Sequence, residues 1–141
     1  MRKEIFVILI LLVLHFTSEP TPVYTGCDIL HRITFHFHHS NIWHLLANAS
    51  CIYAIRNFRW IESFVVASIC SFVVTCPTVG ISGMVFAAIG FNLGHSGKWK
   101  ALLKCSLSAV VFGLMPGVSM LFHLACLFVG FLVVYLRRTL K

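Results

Sequence analysis

The sequence predicts an all-α integral membrane protein with six transmembrane helices in one domain, residues 1–141. Of its 141 residues, 59% are hydrophobic and only 11% are charged, and the mean hydropathy is +0.92. So few charges could not cover the surface of a water-soluble domain, whereas a helix bundle in lipid needs them only at its ends. Six apolar segments and a clustered distribution of basic residues complete the prediction.

The first apolar segment follows the basic residues Arg2 and Lys3 and extends to Phe16. A signal peptide begins in the same way, but no small-x-small cleavage site follows, so a retained first span is favoured. Residues 18–37 form the longest polar segment and are predicted to be an external connection with a short interfacial helix. Glycine, proline or charged residues bound the remaining apolar segments, predicted at 38–55, 61–75, 82–92, 101–115 and 120–136.

The net charge of +7 could suggest nucleic-acid binding, but the positions of the basic residues indicate topology instead. Ten of the eleven fall in four groups: Arg2 with Lys3, Arg56 with Arg59, Lys98 with Lys100 and Lys104, and Arg137 with Arg138 and Lys141. With six crossings, all four groups and both termini lie on the cytoplasmic side, as the positive-inside rule describes. We therefore predict contact with the lipid bilayer and none with nucleic acid. The six cysteines lack CxxC spacing, and neither a metal nor a cofactor is predicted.

Polar side chains inside membrane spans are costly and usually functional. In the second predicted span, His44 and Asn48 are four residues apart and share a helix face, from which they could donate hydrogen bonds to one point. His39 lies near the outer end of the same span. In the sixth span, His123 lies just below the outer surface. The predicted topology thus brings these side chains to the same outer half of the bundle.

Ser82 opens the fourth span at a similar depth. Gly80 and Gly83 leave room for a substrate backbone to approach it, and a helix start presents unpaired N–H groups that favour an anion. Imidazole is the usual base that activates a serine. Ser82 and His123 are therefore a candidate nucleophile and base, acting as a dyad because no Asp or Glu lies in the outer half of a predicted span, where it could orient the histidine. The same glycine-flanked serine is also typical of an ordinary N-terminal cap.

Small residues on the fourth and sixth spans predict a close helix contact, because such residues let membrane helices approach each other. The two stripes are Gly83, Ala87, Gly90 and Gly94 on the fourth span and His123, Cys126 and Gly130 on the sixth. Close approach is what a direct hydrogen bond between Ser82 and His123 requires. Packing without any chemistry would use the same pattern.

Together these residues resemble the rhomboid family of intramembrane serine proteases. Three motifs carry the resemblance: His39-x4-His44-x3-Asn48, Gly80-Ile81-Ser82-Gly83, and His123-x6-Gly130. The resemblance implies a six-helix rhomboid-like bundle that cleaves transmembrane protein substrates near their outer end. It implies that Ser82 is the nucleophile and His123 the base, that His44 and Asn48 are oxyanion or supporting residues, and that His39 has a structural or gating role. Phe86 stands where many members have a tyrosine that packs against the catalytic histidine.

Two other interpretations stay open at this stage. The histidines at positions 36, 38, 39 and 44 could bind zinc or copper in a metal transporter or sensor, although no acidic residue lies deep in the bundle to continue a transport path. Alternatively, the chain could be a catalytically inactive rhomboid-like protein that binds membrane proteins. The presence of both Ser82 and His123 argues against that alternative.

Overall fold

The computed structural model describes residues 3–55, 57–74, 76–114 and 118–140. In these residues it contains seven α-helices and no β-strand, which confirms the all-α prediction. The helices are α1 (Lys3–Thr17), α2 (Ile29–Thr34), α3 (Ile42–Ala54), α4 (Trp60–Cys70), α5 (Ser82–Ser96), α6 (Trp99–Gly113) and α7 (Met120–Thr139). Short 3-10 turns, Phe35–Phe37 and Ser71–Val73, follow α2 and α4.

The six longer helices coincide with the six predicted apolar segments, and α2 lies within the predicted external connection. Their ends differ from the prediction for local reasons. Helix α3 begins at Ile42 and not near residue 38, because the Asn41 side chain accepts a hydrogen bond from the backbone N–H of His44 and caps the helix. Helix α5 continues to Ser96, where Gly97 in the left-handed conformation (φ 62°) ends it. The predicted ends at Thr75 and Met115, and most of the turn before α7, lie outside the described residues.

Only α7 is both long and apolar enough to cross a membrane among the described residues, with 20 residues and a mean hydropathy of 2.0. The other five long helices have 11 to 15 residues, and 15 residues span about 22 Å of a hydrocarbon core that is about 30 Å thick. Several helices nevertheless turn large apolar side chains outward, among them Phe16, Trp43, Ile61 and Leu107. Such a surface is suited to lipid.

Helices α5 and α7 form the centre of the fold and run parallel in close contact. Their glycines face the partner helix backbone: Gly90 lies against Leu127 and Phe131, and Gly130 lies against Ala87. A β-carbon at any of these glycines would collide with a backbone atom that cannot move alone. The small residues therefore set the distance between the two helices that carry Ser82 and His123.

Several contacts fasten the connection before α3 to the rest of the molecule, and two of them involve Arg32 and Val23. The buried guanidinium of Arg32 donates a hydrogen bond to the carbonyl of Ser71 (2.7 Å) and lies 4.2 Å from the centre of the Phe72 ring. Val23 and Thr78 pair through two backbone hydrogen bonds. These contacts hold the segment before α3 beside the loop that leads into α5.

Candidate active site

Two helix starts bring the candidate serine and histidine to the same end of the molecule. Ser82 is the first residue of α5, and His123 lies in the first turn of α7, which begins at Met120. Because α5 and α7 are parallel and closely packed, their first turns face each other. Both side chains are buried, with 9% of Ser82 and 4% of His123 exposed.

The Ser82 Oγ lies 2.8 Å from Nε2 of His123, within hydrogen-bonding distance. If the hydroxyl donates this bond, Nε2 is unprotonated and the imidazole carries its proton on Nδ1. Among the described residues, no group is placed to bond that Nδ1. The arrangement is thus a serine and a base, with no carboxylate behind the base in the described part of the chain.

Two aromatic rings contact the imidazole of His123. The centre of the Phe86 ring is 4.9 Å from that of His123, at an interplanar angle of 38°, and the Phe122 ring is 5.4 Å away. Phe86 is one turn after Ser82 on α5, so the helix that supplies the hydroxyl also supplies a surface for the histidine. The phenyl ring gives this contact without a hydroxyl group.

The loop before Ser82 lies directly against α3. Gly80 has φ 118°, and a β-carbon there would lie 2.8 Å from Cε1 and 3.2 Å from Nε2 of His44, and 3.5 Å from Nδ2 of Asn48. The Asn48 Nδ2 is buried, with no hydrogen-bond partner in the described residues. At the start of α5, the first backbone N–H groups also lack helical acceptors. His44 and Asn48 therefore lie beside Gly80, two residues before Ser82 in the chain.

His39 is buried (1% exposed) but lies in the turn before α3 rather than on that helix. Its ring centre is 5.3 Å from that of His44, and neither of its nitrogens has a hydrogen-bond partner among the described residues. His39 therefore packs behind His44 and does not reach the Ser82–His123 pair by any contact that the structure records.

His36 belongs to the external connection and contacts α4. Its Nε2 lies 3.2 Å from the Ser68 hydroxyl on α4, and its ring packs between Phe35 and Phe64. This burial lowers the pKa of His36 to about 3, so the ring is neutral near pH 7. Among the described residues, no three His, Cys, Asp or Glu side chains converge where one metal ion could bind.

Cys126, predicted to share the packing face of α7, is fully buried and contacts Cys70 of α4. That contact adds α4 to the helices packed around α7. Gly83, which the sequence places in the small-residue stripe of α5, lies against the ring of Phe122. This ring fills the space that a side chain at position 83 would take. Gly83 therefore admits a ring from α7, while Gly90 and Gly130 admit backbone.

The sequence interpretation missed two neighbours that shape the site. The carbonyl of Phe35 accepts a hydrogen bond from the Gly80 backbone N–H (2.9 Å), which fixes the loop that precedes Ser82. The Phe122 ring contacts both Phe35 and His123. A backbone acceptor leaves no signal in sequence, and a phenylalanine in an apolar helix is indistinguishable there from its neighbours. Arg32 did carry a signal, because it is the basic residue that fell outside the four groups.

Comparison with known proteins finds a relative that aligns with nearly the whole chain. The chain is similar to a protein of Acanthamoeba polyphaga mimivirus that is named a putative rhomboid protein, with 28% identity over 159 aligned residues. The alignment covers 96% of this chain and 91% of the mimivirus protein. No family model matches the sequence, and no solved structure matches it. The similarity lends modest support to a rhomboid relationship over nearly the whole chain.

Proposed function

We propose that the chain is an intramembrane serine endopeptidase that cleaves transmembrane proteins near their outer end with a Ser82–His123 dyad. The observation that carries the proposal is the 2.8 Å separation between Ser82 Oγ and His123 Nε2 across two different helices. A serine cap of a helix needs no histidine from elsewhere in the fold. The similarity to a protein named as a rhomboid supports the same assignment.

In the proposed reaction, Ser82 Oγ attacks the carbonyl carbon of the scissile peptide bond while Nε2 of His123 takes the hydroxyl proton. The carbonyl oxygen becomes an oxyanion, and His44, Asn48 and the Ser82 backbone N–H donate hydrogen bonds to it. His123 then gives its proton to the leaving amine, which leaves an acyl group on Ser82. A water molecule, deprotonated by His123, hydrolyses that ester and restores the hydroxyl.

The proposed setting is a bilayer crossed six times, with both termini in the cytoplasm and the dyad in the outer half. Helices shorter than a full crossing are compatible with this setting if the bilayer thins locally around them. A transmembrane substrate would enter from the lipid and unwind near its outer end, since a helical peptide bond is closed to attack. Short helices and an outward-opening site would also let the hydrolytic water reach Ser82.

The test is labelling of the purified protein with a fluorophosphonate probe, which reacts with an activated serine hydroxyl. Wild type is compared with Ser82→Ala, His123→Ala and, as the matched control, Ser63→Ala. Ser63 is also a fully buried serine but lies on α4. We expect labelling of wild type and Ser63→Ala and none of the other two, with helix content by circular dichroism unchanged.

Labelling that persists in Ser82→Ala would contradict the proposed nucleophile. A wild-type protein that folds and yet does not label would instead favour the inactive rhomboid-like binding protein. Cleavage of a single-span membrane protein in reconstituted vesicles then tests the substrate class. Its products should map near the outer end of the span and disappear in Ser82→Ala.

A further inference from the structure

A groove of about 500 Å³ lies at the end of the molecule opposite Ser82, between the end of α5 and the start of α6. It is called the basic groove here and is lined by Gly97, Lys98, Trp99, Lys100, Ala101 and Lys104. Three of these six residues are lysines with exposed side chains. Ser82 and Ser96 are at opposite ends of α5, so the basic groove is about 20 Å from the candidate dyad.

The charge of the basic groove is not compensated within the described residues. No lysine of the groove forms an ion pair there: the recorded pairs join Asp28 to His31 and Glu62 to Arg59. The Arg138 guanidinium adds a further cation at the rim, where it donates a hydrogen bond to the carbonyl of His95 (3.1 Å).

The aromatic side of the basic groove indicates where it lies relative to lipid. Trp99 is 46% exposed, and its ring packs on Phe131 (4.3 Å between ring centres) and Tyr135 (5.2 Å) of α7. Tryptophan and tyrosine are enriched at the level of lipid headgroups, where one part of the ring is apolar and another is wet. In a bilayer, lysines beside such rings would lie at the level of the headgroup phosphates.

From this combination we propose that the basic groove binds the headgroup of an anionic phospholipid, with its acyl chains against Trp99 and the apolar side of α7. Charge complementarity selects the occupant: three unpaired lysines attract a net negative headgroup, and a zwitterionic headgroup offers no net charge. The inference is independent of the chemistry at Ser82 and requires only that the chain resides in a bilayer.

The experiment uses fluorescence quenching by lipids with brominated acyl chains, which quench only a tryptophan that they touch. A protein that keeps Trp99 alone (Trp43→Phe and Trp60→Phe) is reconstituted in phosphatidylcholine with a brominated fraction of either phosphatidylglycerol or phosphatidylcholine. A protein that keeps Trp43 alone is the matched control, because Trp43 is exposed at the opposite end. For each tryptophan, the relative binding constant of the two lipids is measured.

We expect Trp99 to prefer brominated phosphatidylglycerol by about fivefold or more, the factor that corresponds to one lysine near an anionic headgroup. Trp43 should show a ratio near one. The preference at Trp99 should disappear in the triple variant Lys98→Gln, Lys100→Gln and Lys104→Gln. In the protein that keeps all three lysines, the preference should also fall at 1 M salt, where the screening length is about 3 Å.

Equal quenching of Trp99 by the two lipids would overturn the proposal, and so would a preference that survives the triple variant. A competition arm separates a lipid from free phosphate. If inorganic phosphate at constant ionic strength reverses the quenching by brominated phosphatidylglycerol, free phosphate displaces the lipid from the groove, and the assignment of a lipid as its specific occupant is overturned. If inorganic phosphate has no effect, the lipid headgroup is the occupant.

Discussion

Gly80 provides a test of the candidate site, because both its backbone conformation and its contact with His44 disfavour a side chain at this position. Its φ of 118° is rarely adopted by residues with side chains, and a β-carbon there would lie 2.8 Å from Cε1 of His44. Ordinary contact begins near 3.4 Å. In a Gly80→Ala variant the His44 ring, or the loop before Ser82, must therefore move by about 0.6 Å.

Gly26 provides the matched control for this substitution. It also has a positive φ (88°), but a β-carbon at Gly26 would have no atom within 4 Å. Gly26→Ala and Gly80→Ala should each store strain of about 1–3 kcal/mol and lower the thermal midpoint of unfolding. Only Gly80→Ala should also displace His44 from the Ser82 loop. That displacement should slow the reaction by about 10- to 100-fold, since errors near 1 Å at a catalytic group cost about 100-fold.

The assay is the rate of fluorophosphonate labelling of Ser82 in both variants and in wild type, with thermal unfolding measured on the same samples. Thermal unfolding measures how much backbone strain destabilises each variant. When the two variants lose similar stability, the difference between their labelling rates reports the contact with His44. If Gly80→Ala labels as fast as Gly26→Ala, His44 does not stabilise the reacting state. The role proposed for His44 would then be wrong.

Three further outcomes follow from named contacts. Asn48→Ala should raise the activation free energy of turnover by at most about 3–4 kcal/mol, because one oxyanion donor is lost. An unchanged kcat would show that Asn48 has only a structural role. Gly90→Ala should separate α5 from α7, because its β-carbon would lie 2.8 Å from the Phe131 backbone nitrogen. We expect slower labelling of Ser82 and a free energy of unfolding lower by about 1–3 kcal/mol. If neither value changes, the contact at Gly90 does not set the distance between these helices. Arg32→Ala should lower the free energy of unfolding by about 1–3 kcal/mol, because the buried Ser71 carbonyl loses its charged donor (2.7 Å). An unchanged thermal midpoint would show that this hydrogen bond does not stabilise the connection before α3.

The sequence alone was sufficient to predict the helices and to nominate candidate residues. Apolar segments bounded by glycine, proline and charge gave six long helices at the predicted places, because helix formation depends on neighbours a few residues apart. The exact ends needed local geometry: Asn41 begins α3 later than expected, and Gly97 ends α5 later than expected. Hydropathy also predicted six crossings, whereas only α7 is long enough by itself among the described residues.

The tertiary structure decided how those residues meet. The sequence nominated Ser82 and His123 but left their separation open, and that separation depends on backbone contacts between α5 and α7 at Gly90 and Gly130. The Phe35 carbonyl that holds Gly80 could not be predicted at all, since every residue has such a carbonyl and only the folded chain selects one. Residue type and local spacing can be read from the sequence directly. Contacts between residues 40 or more positions apart depend on how all the helices pack together.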